Sequence, residues 1–326
     1  MTLGKRIFNL LRRTKRKLFK PRVMRRLESE GTANPRLRVS LPGNEASFPV
    51  VYRINSLNQF SETENALKAL LYDHFYDLIN DKKVLVKFNL NTANPYPASV
   101  CPEMLCALVD ILLALGAKEV NAGDCCTVRL LPTKKQVRKA GLEKVLQGRA
   151  NVICFDDTSW MTVPVPGQYL KKVTVPRPAL EAETIIALAN LKTHVNAVYT
   201  GALKLLVGFM HPLERYPLHQ NSLQEKIAEI SLAIQPDLFV LDARTAMITG
   251  GPDHGKTIKG EVVLVGDNPL AVDLEAYKLL YNLKKQNDCL DGFKEDPFSI
   301  IQFRHARDIG VGGNPWQGYK TIEWLK

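Results

Sequence analysis

The sequence predicts an α/β fold: a largely parallel sheet with helices on both faces, built as one large domain or two lobes and preceded by a basic amphipathic N-terminal helix. Three observations carry this. The apolar, β-branched runs at 84–88, 184–188 and 238–241 have the near-continuous hydrophobicity of strands covered on both faces. Segments of helical periodicity lie between the strands, most of them opened by a capping residue or proline and closed by glycine or proline. With 45% hydrophobic and 24% charged residues over 326 positions, the chain also has enough apolar material for an ordinary core.

Residues 1–27 hold eleven Lys/Arg and no Asp or Glu, while the remainder carries 33 of each sign, so the net charge of +11 belongs to this tail. Leu3, Ile7, Leu10, Leu11 and Leu18 recur at helical spacing among the cations and describe an amphipathic helix ending near Pro21. Such a helix suits an anionic membrane surface and, less well, nucleic acid; a frayed, solvated terminus is the plain alternative. Segment 1–35 is therefore set apart from an α/β domain at 36–326. The chain has no apolar run of the 18 or so residues that a membrane span needs and no recognisable signal peptide, so the expected setting is cytoplasmic, peripheral to a membrane if the tail binds one.

A strand at 49–54 leads in. Ser61-x-x-Glu64 reads as a capping box for a helix whose core face is Leu67, Leu70, Leu71, Phe75, Leu78 and Ile79, with His74 packing beside it. After the strand at 84–88, a loop punctuated by Pro95 and Pro97 places Lys87 and Asn89 at the rim of a cleft. Pro102 and Gly116 bracket a helix at 103–115, and a strand at 119–122 delivers Gly123 and Asp124 to a loop edge. Thr133-x-x-Gln136 caps a helix broken near Gly141, and 151–155 is a further strand. The adjacent Asp156 and Asp157 read as solvated, with metal ligation a lesser reading. The alternating, proline-punctuated segment 162–175 is a small β-excursion.

The strand at 184–188 puts Lys192 and His194 just beyond a strand's C-terminal end, where open α/β sheets bind ligands. Thr200 is expected to cap a short helix closed by Gly208, leaving Lys204 in its first turn. A cation there opposes the helix dipole by roughly 0.3–1 kcal/mol unless an anion or loss of its proton relieves it. The loop 209–219 carries His211, Arg215 and His219, the last just ahead of a helix opened by Ser222-x-x-Glu225. A strand at 238–241 places Asp242 and Arg244 at its edge. Residues 250–257 satisfy the phosphate-loop pattern G-x-x-x-x-G-K-T, yet a strand at 260–265 follows where that motif needs a helix. The reading preferred here is a glycine loop over the cleft, with Gly250, Gly251 and Lys256 able to touch an anion. Asp267 or Asn268 caps a helix that opens with Pro269 and carries Asp273; Asp296-Pro297 opens a last helix to Ile309, stopped by Gly310, and 316–324 docks on the core.

In order along the chain, Lys192-Thr193-His194, Thr200-Gly201-Ala202-Leu203-Lys204, Asp242, Gly250-Gly251-Pro252 and the stretch 267–273 resemble the DUF362 family, a domain of unknown function, over about 84–273. The resemblance implies a fold and little about activity. The chain departs from that family's pattern at Phe88 and Leu205, where Lys-Pro-Asn and Lys-Asn-Leu are usual. A His followed ten residues later by a Lys in a Gly-rich turn is similar to the lactate-racemase family, whose His and Lys serve a tethered nickel-pincer nucleotide. Some DUF362 relatives carry an appended iron–sulfur module. The six cysteines here include no Cys-x-x-Cys pair and read as reduced thiols.

Taken together, Lys87, Asn89, Asp124, Lys192, His194, Lys204, His219, Asp242 and Lys256, with Gly201, mark a site for a small anionic molecule bearing a carboxylate or phosphate. In this reading His194 is the acid/base, Lys192 and Lys204 hold the anion, His219 assists, and Asp242 or Asp273 orients a base or binds a metal. The sequence specifies no cofactor. Three other classes stay open: a metal- or iron–sulfur-linked redox enzyme or accessory protein, a non-catalytic metabolite binder held at a membrane surface, and a purely structural set of salt-bridged loop residues.

Overall fold

The computed structural model describes residues 29–38, 48–56, 59–311, 313 and 316–324. The basic amphipathic helix expected over 1–27 lies outside the described residues. In chain order the strands are β1 (Ser29–Thr32), β2 (Val50–Asn55), β3 (Lys83–Lys87), β4 (Glu119–Asp124), β5 (Asn151–Cys154), β6 (Trp160–Pro164), β7 (Lys172–Pro176), β8 (Thr184–His194), β9 (Val198–Thr200), β10 (Leu238–Met247), β11 (Thr257–Gly266) and β12 (Lys320–Trp324). The helices are α1 (Phe60–Phe75), α2 (Pro102–Ala114), α3 (Thr133–Lys139), α4 (Leu142–Leu146), α5 (Arg177–Glu181), α6 (Ala202–Leu205), α7 (Arg215–Leu218), α8 (Leu223–Glu229), α9 (Pro269–Gln286) and α10 (Ile301–Asp308).

The main sheet has the order β12-β2-β11-β10-β8-β3-β4-β5, with β9 folded back on β8. From β10 to β5 every pairing is parallel, and antiparallel pairings join β11 to β10 and to β2. The predicted α/β class and its largely parallel sheet are what the molecule shows. The chain leaves β3 for β4 and β5 on one side and returns to β8 on the other. The strand order therefore reverses between β3 and β8.

Alternate residues of these strands feed two cores. Val84, Val86, Ile186, Leu188 and Val240 face α1 and α2, whose Leu67, Leu70, Leu105 and Leu108 are fully buried. Leu85, Ile185, Ala187, Phe239 and Leu241 face the other way, toward α9 and a separate three-stranded sheet of β1, β6 and β7. Each fully buried aliphatic side chain contributes roughly 1.5–3 kcal/mol, which is why the central strands tolerate so few polar positions. The small sheet is the predicted β-excursion, and its Trp160, Val163 and Val175 share the second core. β1 pairs with β6 from within the stretch assigned to the N-terminal segment.

Several local expectations give way to tertiary contacts. Ser61 lies inside α1, whose N-cap is Gln59, so its capping box does not form. The Thr133 hydroxyl instead accepts from the Cys126 amide at 3.0 Å. Ser222 does precede α8, but in a left-handed conformation that makes no side-chain cap. Asn268 behaves as expected, accepting from the Leu270 and Ala271 amides at 3.1 Å each. Asp156 is buried rather than solvated and accepts from the Thr133 amide.

Candidate functional site

β8 runs eleven residues to His194, well past its predicted end, because β9 returns antiparallel and pairs Thr200 with Lys192 and Val198 with His194. Side chains on a strand alternate, so Lys192 and His194 share one face of this extension, with Thr200 beside Lys192. That face lines a cleft of about 620 Å³ at the C-terminal ends of β3, β4 and β8. The cleft thus sits where the strand order reverses, the usual ligand position in such sheets. The structure brings Lys87, Asn89, Asp124, Lys192, His194, Gly201, Lys204 and His219 together around it. Asp242, Asp273, Gly250, Gly251 and Lys256 do not line it.

Lys87, at the end of β3, is fully buried, with its Nζ 2.8 Å from Asp124 Oδ1 and donating to the Phe88 carbonyl at 2.6 Å. Burial lowers its pKa and Asp124 opposes that. A Cβ at Gly208 would run into this pair, so glycine is what lets α6 and the turn after it close over the cleft. Asn89 donates to the Ala98 carbonyl at 3.0 Å and to Asn190 Oδ1 at 3.3 Å. Both residues are tied into the wall.

Lys192 is buried, donates from Nζ to the Ala98 carbonyl and has no carboxylate within ion-pair distance among the described residues. Burial lowers its pKa to about 7; Asp253 counters that and Lys204 adds to it. Lys204, in α6, is partly open to the cleft and has no hydrogen-bond or ion-pair partner among the described residues. Burial first, then the neighbouring Arg215 charge, lower its pKa to about 8. Arg215 is itself fixed by four groups of contacts, to the carbonyls of Met210, Cys125, Cys126 and Gly208 at 2.8–3.1 Å.

The two histidines differ in tautomer. His194 Nδ1 accepts from the amides of Asn196 at 3.0 Å and Ala197 at 3.1 Å, so the neutral ring carries its proton on Nε2. Burial, then the charges of Lys204 and Lys192, push its pKa down to about 3. It is therefore a neutral Nε2–H donor at physiological pH. His219 caps the end of α7 and donates from Nδ1 to the Arg215 carbonyl at 2.6 Å, which leaves Nε2 as an acceptor. Its pKa is lowered, chiefly by burial.

The two carboxylates expected to orient a base or bind a metal have other duties. Asp273, fully buried in α9, accepts from the Ala202 amide at 2.6 Å, the Leu203 amide at 2.9 Å and the Tyr199 hydroxyl at 3.0 Å. It caps α6 across the fold, in place of Thr200, whose hydroxyl has no hydrogen-bond partner among the described residues. Burial raises its pKa to about 7 and the three donors oppose the rise. A Cβ at Gly201 would strike that carboxylate and the Tyr199 hydroxyl, so Gly201 serves the cap. Asp242 is gripped by Arg244 at 3.0 and 2.9 Å and by the Tyr96 hydroxyl at 2.8 Å. Among the described residues, no cluster of three or more His, Cys, Asp or Glu is placed to hold a metal ion.

The glycine loop does not follow the phosphate-loop plan either. β11 succeeds it, with no helix between. Gly250 and Gly251 have φ of +65° and +77°, and a Cβ on Gly251 would overlap the Thr193 carbonyl, so the loop supports β8 from behind. It presents Pro252 and Asp253 to the cleft, whereas Lys256 is exposed and donates to Asn287 Oδ1 at 3.0 Å. Sequence reasoning passed over Arg129, Asn190, Arg215 and Asp253 as lining groups. Only Arg215 left a trace, as a cation in the same loop as His219. Counting Lys87, Arg129, Lys192, Lys204 and Arg215 against Asp124 and Asp253, the lining has five basic side chains to two carboxylates.

The model of a family described as a domain of unknown function, DUF362, matches residues 84–278, more than half of the chain. Among solved structures, a protein from Thermotoga maritima aligns with a TM-score of 0.40 and 17% identity over 71% of this chain and 60% of that one. The lactate racemase apoprotein from Thermoanaerobacterium thermosaccharolyticum aligns with a TM-score of 0.36 and 15% identity over 66% of this chain and 56% of that one. The chain thus spans less than two thirds of the length of either. No curated protein matches it.

Proposed function

Starting from a chain that belongs to the DUF362 family, a domain of unknown function, we propose that its cleft binds a small ligand through a carboxylate or phosphate and exchanges protons with it. The observation that carries this is that a buried Lys192 and a partly open Lys204, both with pKa lowered toward neutral pH, line one cleft with an imidazole that can only donate. Protonated, Lys192 and Lys204 attract the anion; deprotonated, either can take a proton from it. His194 then acts as a neutral hydrogen-bond donor to a ligand oxygen, not as the acid/base, because no proton leaves or joins its ring easily near pH 7. His219 Nε2 is the acceptor through which a second proton can pass.

The test is thermal denaturation of the full chain with and without inorganic phosphate and short carboxylates. A ligand at 100 times its dissociation constant stabilises by about 2.7 kcal/mol. Lys204→Ala should abolish that stabilisation without lowering the ligand-free melting temperature, and His194→Ala should abolish it in a chain that still folds but melts lower, because the Asn196 and Ala197 amides lose their acceptor. A large ligand-free destabilisation, with no anion effect even in the unaltered chain, would instead mark these residues as structural.

A further inference from the structure

The three lysines of the cleft are not equivalent. Lys87 is neutralised by Asp124, and Lys192 is anchored to the Ala98 carbonyl, but Lys204 has neither an acceptor nor a counter-ion among the described residues. Beside it stands Arg215, whose guanidinium is pinned by carbonyls on several segments and cannot swing away. A fixed cation next to a partly desolvated amine disfavours the ammonium form and frees the nitrogen lone pair. At pH 7 an amine of pKa about 8 has roughly 200-fold more free base than a lysine at the ordinary value of about 10.4. The same cleft also supplies what a carbonyl compound needs: the His194 Nε2–H donor for its oxygen, Lys192 for an anionic end, and His219 Nε2 for proton transfer.

Resting on the anion-binding reading, we propose that the Lys204 amine forms an imine with an aldehyde or ketone that carries a carboxylate or phosphate. The Nζ lone pair attacks the carbonyl carbon, the C=O π pair moves onto oxygen, and a proton passes from nitrogen to that oxygen to give a carbinolamine. Protonation of the hydroxyl expels water as the nitrogen lone pair forms C=N, and the remaining N–H proton returns to the base. One amine and one carbonyl yield one imine and one water, with no change of oxidation state.

The experiment treats the full chain with pyruvate or with pyridoxal phosphate, reduces it with borohydride and maps the adduct by peptide mass. The expected result is an adduct concentrated on Lys204 whose yield rises with pH through about 8, while exposed lysines such as Lys256 stay largely unlabelled. Excess inorganic phosphate should slow the trapping. Lys204→Arg should lose the adduct yet still be stabilised by phosphate, which shows that the variant is folded and its anion site intact. Labelling spread evenly over lysines, an adduct on Lys192, or no Lys204 adduct with either probe while phosphate still stabilises the chain would each overturn the imine. A Lys204 adduct that phosphate neither slows nor protects would overturn the anion-binding reading and leave the imine standing.

Discussion

His194 takes two backbone amides at Nδ1, and that contact fixes what its ring can do, whereas Lys192 and Lys204 are the groups whose charge changes near neutral pH. A pH dependence follows with opposite signs for folding and binding. Folded, the two lysines shed protons near pH 7 and 8, while unfolded lysines hold theirs to about 10.4, so between these values the unfolded state binds more protons. Ligand-free stability should therefore rise with pH across that window. Anion binding, which needs the protonated amines, should weaken over the same range. Melting curves with and without phosphate, compared with Lys192→Met and Lys204→Met, test both trends; a variant that keeps the full rise shows that other groups cause it. At this scale the cationic half of the site was legible, because position relative to a strand end is written in the local pattern. The carboxylates were not. Asp242 and Arg244 do share a strand face two residues apart, a readable pairing, but the donors that occupy Asp273 come from about 70 residues away.

Helix α6 shows how an element four residues long is held in place. With Gly201 at its N-cap and no side-chain cap of its own, it depends on Asp273 for its first amides. Removing that carboxylate strands two buried amides and the Tyr199 hydroxyl, at roughly 1–3 kcal/mol for each unsatisfied group. Asp273→Ala should therefore destabilise the chain by about 3 kcal/mol or more, seen as a lower denaturation midpoint, and should disturb anion binding only through loss of α6. Gly201→Ala should destabilise too, by roughly 1–3 kcal/mol, because its Cβ overlaps the same carboxylate. If Asp273→Ala kept full stability and lost only a metal-dependent property, the capping role would be wrong. The failed capping boxes at Ser61 and Thr133 make the same physical point from the other side. A hydroxyl near a helix start is free to serve any nearby donor, and only the assembled fold decides which one is nearest. Strand cores, by contrast, depend on burial of their own side chains, and 84–88, 184–188 and 238–241 all emerged as strands.

Across the whole molecule, the alternation of apolar runs and capped helices was enough to anticipate a parallel sheet covered on both faces, but not the reversal of strand order between β3 and β8 that makes the cleft. That reversal depends on which strand edge β8 joins after the excursion through β6 and β7, and no local pattern encodes it. Charge distribution is the other molecular property that sequence alone supplies: eleven cations in residues 1–27 against a neutral remainder. No helix among the described residues is long and apolar enough to cross a membrane. Near an anionic bilayer each Lys or Arg contributes about 1 kcal/mol, screened by salt, and the few apolar residues among them add little alone. The full chain should therefore sediment with vesicles containing phosphatidylserine at low salt, weakly at high salt, and poorly with neutral vesicles. Deleting residues 1–27 should remove this binding and leave the melting temperature and the response to phosphate unchanged, because the cleft draws on residues from Lys87 onward. Should the full chain ignore anionic vesicles yet bind RNA or DNA with a steep salt dependence, the tail is a nucleic-acid contact instead.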